Sequence, residues 1–140
     1  MKDSIELYNV NGWGRDFFSI NAAGHVEVTP SGPNSAKIDL KELVDDLRSR
    51  GINLPCLIRF SDILRTRVHQ LCESFRQAIT ENDYRGSYRG VYPIKVNQQR
   101  HVVEELVEYG RPFNLGIEAG SKPELLVALA LQDNPEALIV

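Results

Sequence analysis

The sequence predicts an α/β protein built from parallel βα units and preceded by a short β-rich segment. Three observations carry this reading. From Ile38 onward, helical apolar stripes alternate with short apolar runs. Those runs are apolar throughout rather than alternating with polar residues, as expected of strands covered on both sheet faces. Helix-start signals recur just after the runs, where a strand hands over to a crossover helix.

Residues 1–37 have a different texture, rich in Asn, Gly, Ser and Pro, with aromatics at Tyr8, Trp13, Phe17 and Phe18. Phe17-Phe18-Ser19-Ile20 and His25-Val26-Glu27-Val28-Thr29 read as two short strands. Ala22-Ala23-Gly24 supplies the turn between them, with Gly24 free to take φ > 0. Ser31-Gly32-Pro33-Asn34-Ser35 reads as a loop, and no helical period is visible in this stretch. The aromatics around Trp13 read as a packing surface.

Asp39 with Glu42 forms a capping box that opens a helix carrying Leu40, Leu43, Val44 and Leu47, and Gly51 is placed to end it. Pro55-Cys56-Leu57-Ile58-Arg59-Phe60 predicts a buried strand. Ser61 then caps a long helix with the apolar stripe Leu64, Val68, Leu71, Phe75 and Ile79. Its other face carries Arg65, Arg67, Glu73, Arg76 and Gln77. Val91-Tyr92-Pro93-Ile94-Lys95-Val96 reads as a second strand. Asn97-Gln98-Gln99 opens a helix that presents Val102, Val103, Leu106 and Val107 and stops at Gly110. Phe113-Asn114-Leu115-Gly116-Ile117-Glu118 is a third strand. Ser121 with Glu124 is a second capping box, ahead of Leu125, Leu126 and Leu129. Leu138-Ile139-Val140 reads as the start of a fourth strand. Doubly wound sheets and (β/α)8 barrels share this grammar, and the pattern alone does not separate them.

Composition narrows the function classes. The chain has 140 residues, with 16 Lys+Arg against 19 Asp+Glu and a formal net charge of −3. That balance argues against a basic nucleic-acid module. A hydrophobic fraction of 42% argues against disorder. No apolar run approaches the roughly 20 residues that span a bilayer, and the first residues hold no apolar segment of a secretory signal. The expectation is a cytoplasmic protein without nucleic-acid or membrane partners. Cys56 and Cys72 lack metal-ligand spacing and read as packed thiols. His25, His69 and His101 are scattered and read as structural or surface residues, so no metal ligands are assigned. By length the chain reads as one domain. It stops, however, inside the apolar run Ala137-Leu138-Ile139-Val140, as though cut in mid-strand.

In either parallel architecture, functional residues gather at the C-terminal ends of strands. This selects Lys95, Glu118 and Arg59. Lys95 is the odd one, a lysine between Ile94 and Val96. If held in a closed site, its amine would lose charge and become a nucleophile suited to Schiff-base formation. The plainer reading is a strand-end lysine that reaches water. Glu118 would share its face, either balancing an amine or favoured beside the next helix N-terminus. Gly116 and Gly120 would allow close backbone approach to a ligand. The glycine-rich dinucleotide and P-loop patterns are absent.

Gly90-Val91-Tyr92-Pro93-Ile94-Lys95-Val96-Asn97-Gln98 closely resembles the cofactor-lysine segment of the biosynthetic arginine decarboxylases, pyridoxal-phosphate enzymes of the alanine-racemase-like barrel class. Three more stretches resemble the same family, in the same order. They are Trp13-Gly14 with Asn21-Ala22-Ala23-Gly24-His25, then Leu54-Pro55-Cys56-Leu57-Ile58-Arg59-Phe60-Ser61-Asp62-Ile63-Leu64, then Leu115-Gly116-Ile117-Glu118-Ala119-Gly120-Ser121-Lys122-Pro123-Glu124. The YPIKVNQ form is closer to this family than to its ornithine or diaminopimelate relatives, whose lysine segment reads nearer FAxKAN.

The resemblance implies a partial (β/α)8 barrel over residues 38–140, comprising the first three βα units and the start of a fourth strand. Residues 1–37 would be strands of a separate β-domain built mostly from the far C-terminus. Lys95 would be both the catalytic and the cofactor-binding lysine, forming the aldimine with pyridoxal 5′-phosphate. L-Arginine would lose carbon dioxide to give agmatine, the first step of polyamine (putrescine and spermidine) biosynthesis. The cofactor ring is the electron sink for that reaction. Glu118 and Glu124 match acidic positions of the pattern and would support the lysine. The family also implies magnesium, with no ligands assignable here, and a homo-oligomer with active sites at subunit interfaces. The phosphate-binding loop and the acid that pairs with the pyridine nitrogen would lie beyond Val140, so residues 1–140 alone are expected to be inactive. Other readings are a decarboxylase of the same class acting on another basic amino acid, or a non-catalytic fragment or binding module. The small cofactor-carrier proteins of this barrel class fit less well, since they lack a strand region like residues 1–37.

Overall fold

The computed structural model describes residues 2–33 and 35–140. The chain forms two compact units, residues 1–63 and 64–140.

The first unit is built on a three-stranded antiparallel sheet. β1 (Phe18–Ile20) and β2 (Val26–Val28) form the expected hairpin, with Phe18 opposite Val28 and Ile20 opposite Val26. The turn works as its residues dictate. The Asn21 side-chain oxygen accepts from the Ala23 and His25 amides, each at 3.0 Å, and Gly24 takes φ +82°. β3 (Ile38–Asp39) pairs antiparallel with β2, so this unit continues past residue 37.

Asp39 ends β3 and caps α3 (Leu40–Ser49). One carboxylate oxygen accepts from the Lys41 and Glu42 amides at 2.8 and 3.1 Å. The other meets Asn21 Nδ2 at 2.7 Å and His25 Nδ1 at 2.8 Å, tying hairpin to helix. Partial burial works against the charged form, but the bonds from His25, the Glu42 amide, Asn21 and the Lys41 amide prevail and hold the carboxyl at about 2.

Residues 2–14 depart from expectation. They form two short helices, α1 (Lys2–Leu7) and α2 (Val10–Gly14). Each is under two turns, too short for a 3.6-residue period to register in the sequence. Asn9 joins them in the left-handed conformation at φ 48°, and Trp13 Nε1 donates to the Tyr8 carbonyl at 3.0 Å.

The strand expected at residues 55–60 does not form. Residues 52–60 are irregular, Leu57 is 75% exposed and Cys56 is exposed rather than packed. A strand lasts only while its amides and carbonyls find a partner, and among the described residues no strand pairs with this run. Cys72, in contrast, is buried as expected, and burial pushes its thiol up.

The second unit holds the parallel part. The long helix α4 (Ser61–Glu81), which lies in this unit from Leu64 on, buries Val68 and Cys72, with Leu64 packed alongside. The expected stripe slips by one position, and Leu71 and Phe75 stay about half exposed. Phe75 instead stacks on Tyr88, ring centroids 3.9 Å apart. α5 (Arg100–Gly110) is buried along two rows. Val102 and Leu106 join Val68, Cys72 and Leu115, while Val103 and Val107 join Ile94, Ile117 and Ala128. Each buried Val, Leu or Ile among them contributes about 1.5–3 kcal/mol. From Leu125 onward α6 (Lys122–Leu131) is apolar all round, yet only Ala128 is buried.

Candidate active site

Between α4 and α5 runs β4 (Val91–Pro93). It pairs in parallel with β5 (Gly116–Glu118), Tyr92 opposite Ile117 and Pro93 opposite Glu118. Residues 138–140 lie along the other side of β5. Ile117 bridges Ile139 in parallel, and the Ala119 amide donates to the Val140 carbonyl at 2.7 Å. The fourth run thus meets β5 in the parallel sense through an isolated bridge, while the sheet itself has two strands, β4 and β5. Gly116 is required there by backbone: a Cβ on it would collide with the Leu138 carbonyl.

The predicted strand over residues 91–96 stops early. The ladder ends at Pro93 opposite Glu118, and the chain curls into a single 3-10 turn, Ile94–Val96. Lys95 thus sits on a turn just past the strand. The turn is anchored at one end by Ile94, which is 1% exposed. Likewise the third strand begins only at Gly116, because a proline-containing 3-10 turn, Arg111–Phe113, precedes it.

This geometry brings two of the expected residues together. Lys95 Nζ lies 3.3 Å from Glu118 Oε1, with the two side chains 64% and 36% exposed. A pair so open to solvent contributes little to stability, so its interest is chemical. A primary amine beside a carboxylate can be oriented by it and can exchange a proton with it. The closed pocket envisaged for the lysine is not what surrounds it here.

Glu124 is not in contact with that amine. Its Oε2 accepts from the Gly120 amide at 2.8 Å, while Ser121 Oγ accepts from the Glu124 amide at 3.4 Å. The capping box therefore closes around Gly120 and shapes the loop that follows Glu118. Arg59 lies on irregular chain in the first unit rather than at a strand end. His69 packs edge-on against Phe113, centroids 5.3 Å apart. Among the described residues no group of three or more His, Cys, Asp or Glu side chains is arranged to hold a metal, and no helix is long and apolar enough to cross a membrane. Sequence reasoning missed Tyr92, whose hydroxyl donates to the Asn97 carbonyl at 3.2 Å. Only its presence in an apolar run beside Lys95 could have drawn notice.

These features define a mixed α/β chain that presents a lysine and a carboxylate at the C-terminal ends of adjacent parallel strands. Along its length the sequence is related to the biosynthetic arginine decarboxylases. It is 59% identical over 140 residues to the one from Gloeobacter violaceus and 54% identical over 140 residues to the one from Nostoc sp.. It is 56% identical over 137 residues to biosynthetic arginine decarboxylase 1 of Synechocystis sp.. These matches cover 96–100% of the chain, but the chain spans only 20–22% of the length of those relatives. The fold matches the crystal structure of the biosynthetic arginine decarboxylase SpeA from Campylobacter jejuni with a TM-score of 0.82 and 32% identity, over 95% of this chain and 22% of that one. No protein-family profile matches the chain.

Proposed function

We propose that these residues are the lysine-bearing part of a longer pyridoxal-phosphate-dependent enzyme that decarboxylates L-arginine to agmatine and carbon dioxide. The observation that carries this is the Lys95–Glu118 pair at 3.3 Å, at the ends of two parallel strands. Its support is a chain related along its whole length to arginine decarboxylases of about five times that length.

The donor set fits the aldehyde end of the cofactor. Lys95 offers a primary amine clear of the apolar core, and Glu118 offers a carboxylate to orient it. When bound, the cofactor supplies an electron sink for the pair left behind as carbon dioxide departs. Lys95 holds the cofactor, Glu118 keeps the amine aimed, and Glu124 fixes the backbone of Gly120 beside them. The phosphate-binding loop, the pyridine-nitrogen acid and the groups that grip the guanidinium belong, in this proposal, to the rest of the enzyme.

In the same proposal, residues 38–140 are the opening βα units of a (β/α)8 barrel, which needs about 250 residues. Residues 1–37 contribute to a β-domain. The complete enzyme is a cytoplasmic homo-oligomer acting in polyamine biosynthesis. Magnesium enters only through the family resemblance.

Borohydride reduction of the complete enzyme with pyridoxal phosphate, followed by peptide mapping, tests the assignment. The label is expected on Lys95, and a label on another lysine overturns it. Lys95→Ala is expected to abolish agmatine formation. Faster turnover of ornithine or lysine than of arginine would move the substrate assignment to another basic amino acid, and residues 1–140 alone are expected to form no agmatine.

A further inference from the structure

Tyr92 sits in the middle of β4, paired with Ile117, and its ring packs against both apolar clusters of the second unit. Packing against both clusters restricts the ring and sets where its hydroxyl lies. The hydroxyl donates to the Asn97 carbonyl, 3.2 Å away and five residues on. Burial pushes the phenol above its ordinary range, so the hydroxyl keeps its proton and remains a donor.

The bond spans the turn that carries Lys95. The turn leaves β4 at Pro93, passes through buried Ile94, exposes Lys95 and Val96, and ends at Asn97 in extended conformation, φ −154°. Asn97 is held in turn by its own side chain, whose oxygen accepts from the Gln99 amide at 3.0 Å ahead of α5. A single 3-10 turn has poor internal hydrogen bonding, and a lysine loses substantial rotamer entropy when its amine is fixed. Holding the backbone at both ends of the turn removes one source of that spread.

We propose that Tyr92 is a positioning residue for Lys95: by donating to the Asn97 carbonyl, its hydroxyl holds the turn that aims the Lys95 amine at Glu118. The inference rests on the functional reading above, in that it takes Lys95 as the cofactor lysine.

Tyr92→Phe is the test, because it keeps the ring in both clusters and deletes only the donor. In the complete enzyme, the rate of pyridoxal-phosphate attachment to Lys95 is followed by borohydride trapping and peptide mass. Agmatine formation is measured alongside, in Tyr92→Phe, Glu118→Gln and the double variant. Loss of one such hydrogen bond is expected to slow attachment and lower kcat by about three- to tenfold, with the KM for arginine changed by less than about twofold. In the Glu118→Gln background the same change is expected to cost less than about twofold, because the aim it preserves is already lost. The inference is overturned if Tyr92→Phe attaches cofactor at the unmutated rate, even with a lowered unfolding midpoint. It is equally overturned if the loss is the same factor in both backgrounds, which is the mark of a general packing role. Unmutated enzyme labelled at a lysine other than Lys95 is a different failure, and it removes the functional reading itself.

Discussion

Two apolar stretches of this chain, residues 55–60 and residues 91–96, meet opposite fates. The first stays irregular with Leu57 out in solvent. The second becomes β4 for as long as β5 lies beside it, then turns as soon as that ladder ends. Both stretches contain a proline, both are rich in aliphatic side chains, and both precede a helix. The difference is a partner. Apolar character makes a strand worth burying, but backbone amides and carbonyls need a ladder before one exists. The site depends on this, because Lys95 and Glu118 are brought together by the register of β4 on β5.

The largest effect should come from pushing β5 away from the backbone beside it. Gly116→Val places a side chain against the Leu138 carbonyl. It is expected to destabilise the protein by about 3 kcal/mol and to lower protection of the Ile117 and Ala119 amides in hydrogen exchange. Ile94→Ala removes a fully buried side chain from the anchor of the turn. Its expected cost is about 2–4 kcal/mol in urea unfolding, with weaker cofactor attachment because Lys95 loses one fixed end.

In the antiparallel unit, side chains rather than a ladder join helix to hairpin, through Asp39. Its carboxyl is held at about 2, below the ordinary 3.8, so its contribution to stability is complete above about pH 4. That contribution fades as pH falls toward 2. Asp39→Asn should flatten the acid limb of the stability–pH curve between those values, as read by unfolding midpoints. Leu57→Ser should change stability by less than about 0.5 kcal/mol, because the side chain is already in water. A loss as large as that of Ile94→Ala would mean that residues 55–60 are covered in solution.

Much of the frame is written locally. Asp39 and Ser121 each carry a side-chain acceptor that meets the first amides of a helix, and both caps form as their residues require. Val102, Val103, Leu106 and Val107 repeat at helical spacing, and all four are buried. Lys95 and Glu118 could be picked out because strand-end logic needs only the order of elements. Less legible were α1 and α2, which are too short for a period, and the true buried row of α4, which depends on what packs against it. The role of Glu124 was half visible: the capping box is local, but its grip on Gly120 rather than on Lys95 is a matter of where the loop runs.

By itself, the sequence determined helices α3 to α6, the caps at Asp39 and Ser121, the hairpin turn and the identity of the amine and carboxylate at the strand ends. These follow from dihedral preference, side-chain period and hydrogen bonds to near neighbours, all of which act within a few residues. The tertiary structure alone decided which apolar run became a strand, where β4 ended, and that Lys95 Nζ reaches Glu118 at 3.3 Å across 23 residues of chain. It also decided that Tyr92 closes over the turn. Those outcomes depend on ladder partners and packing surfaces contributed from elsewhere in the chain, and no local preference encodes them.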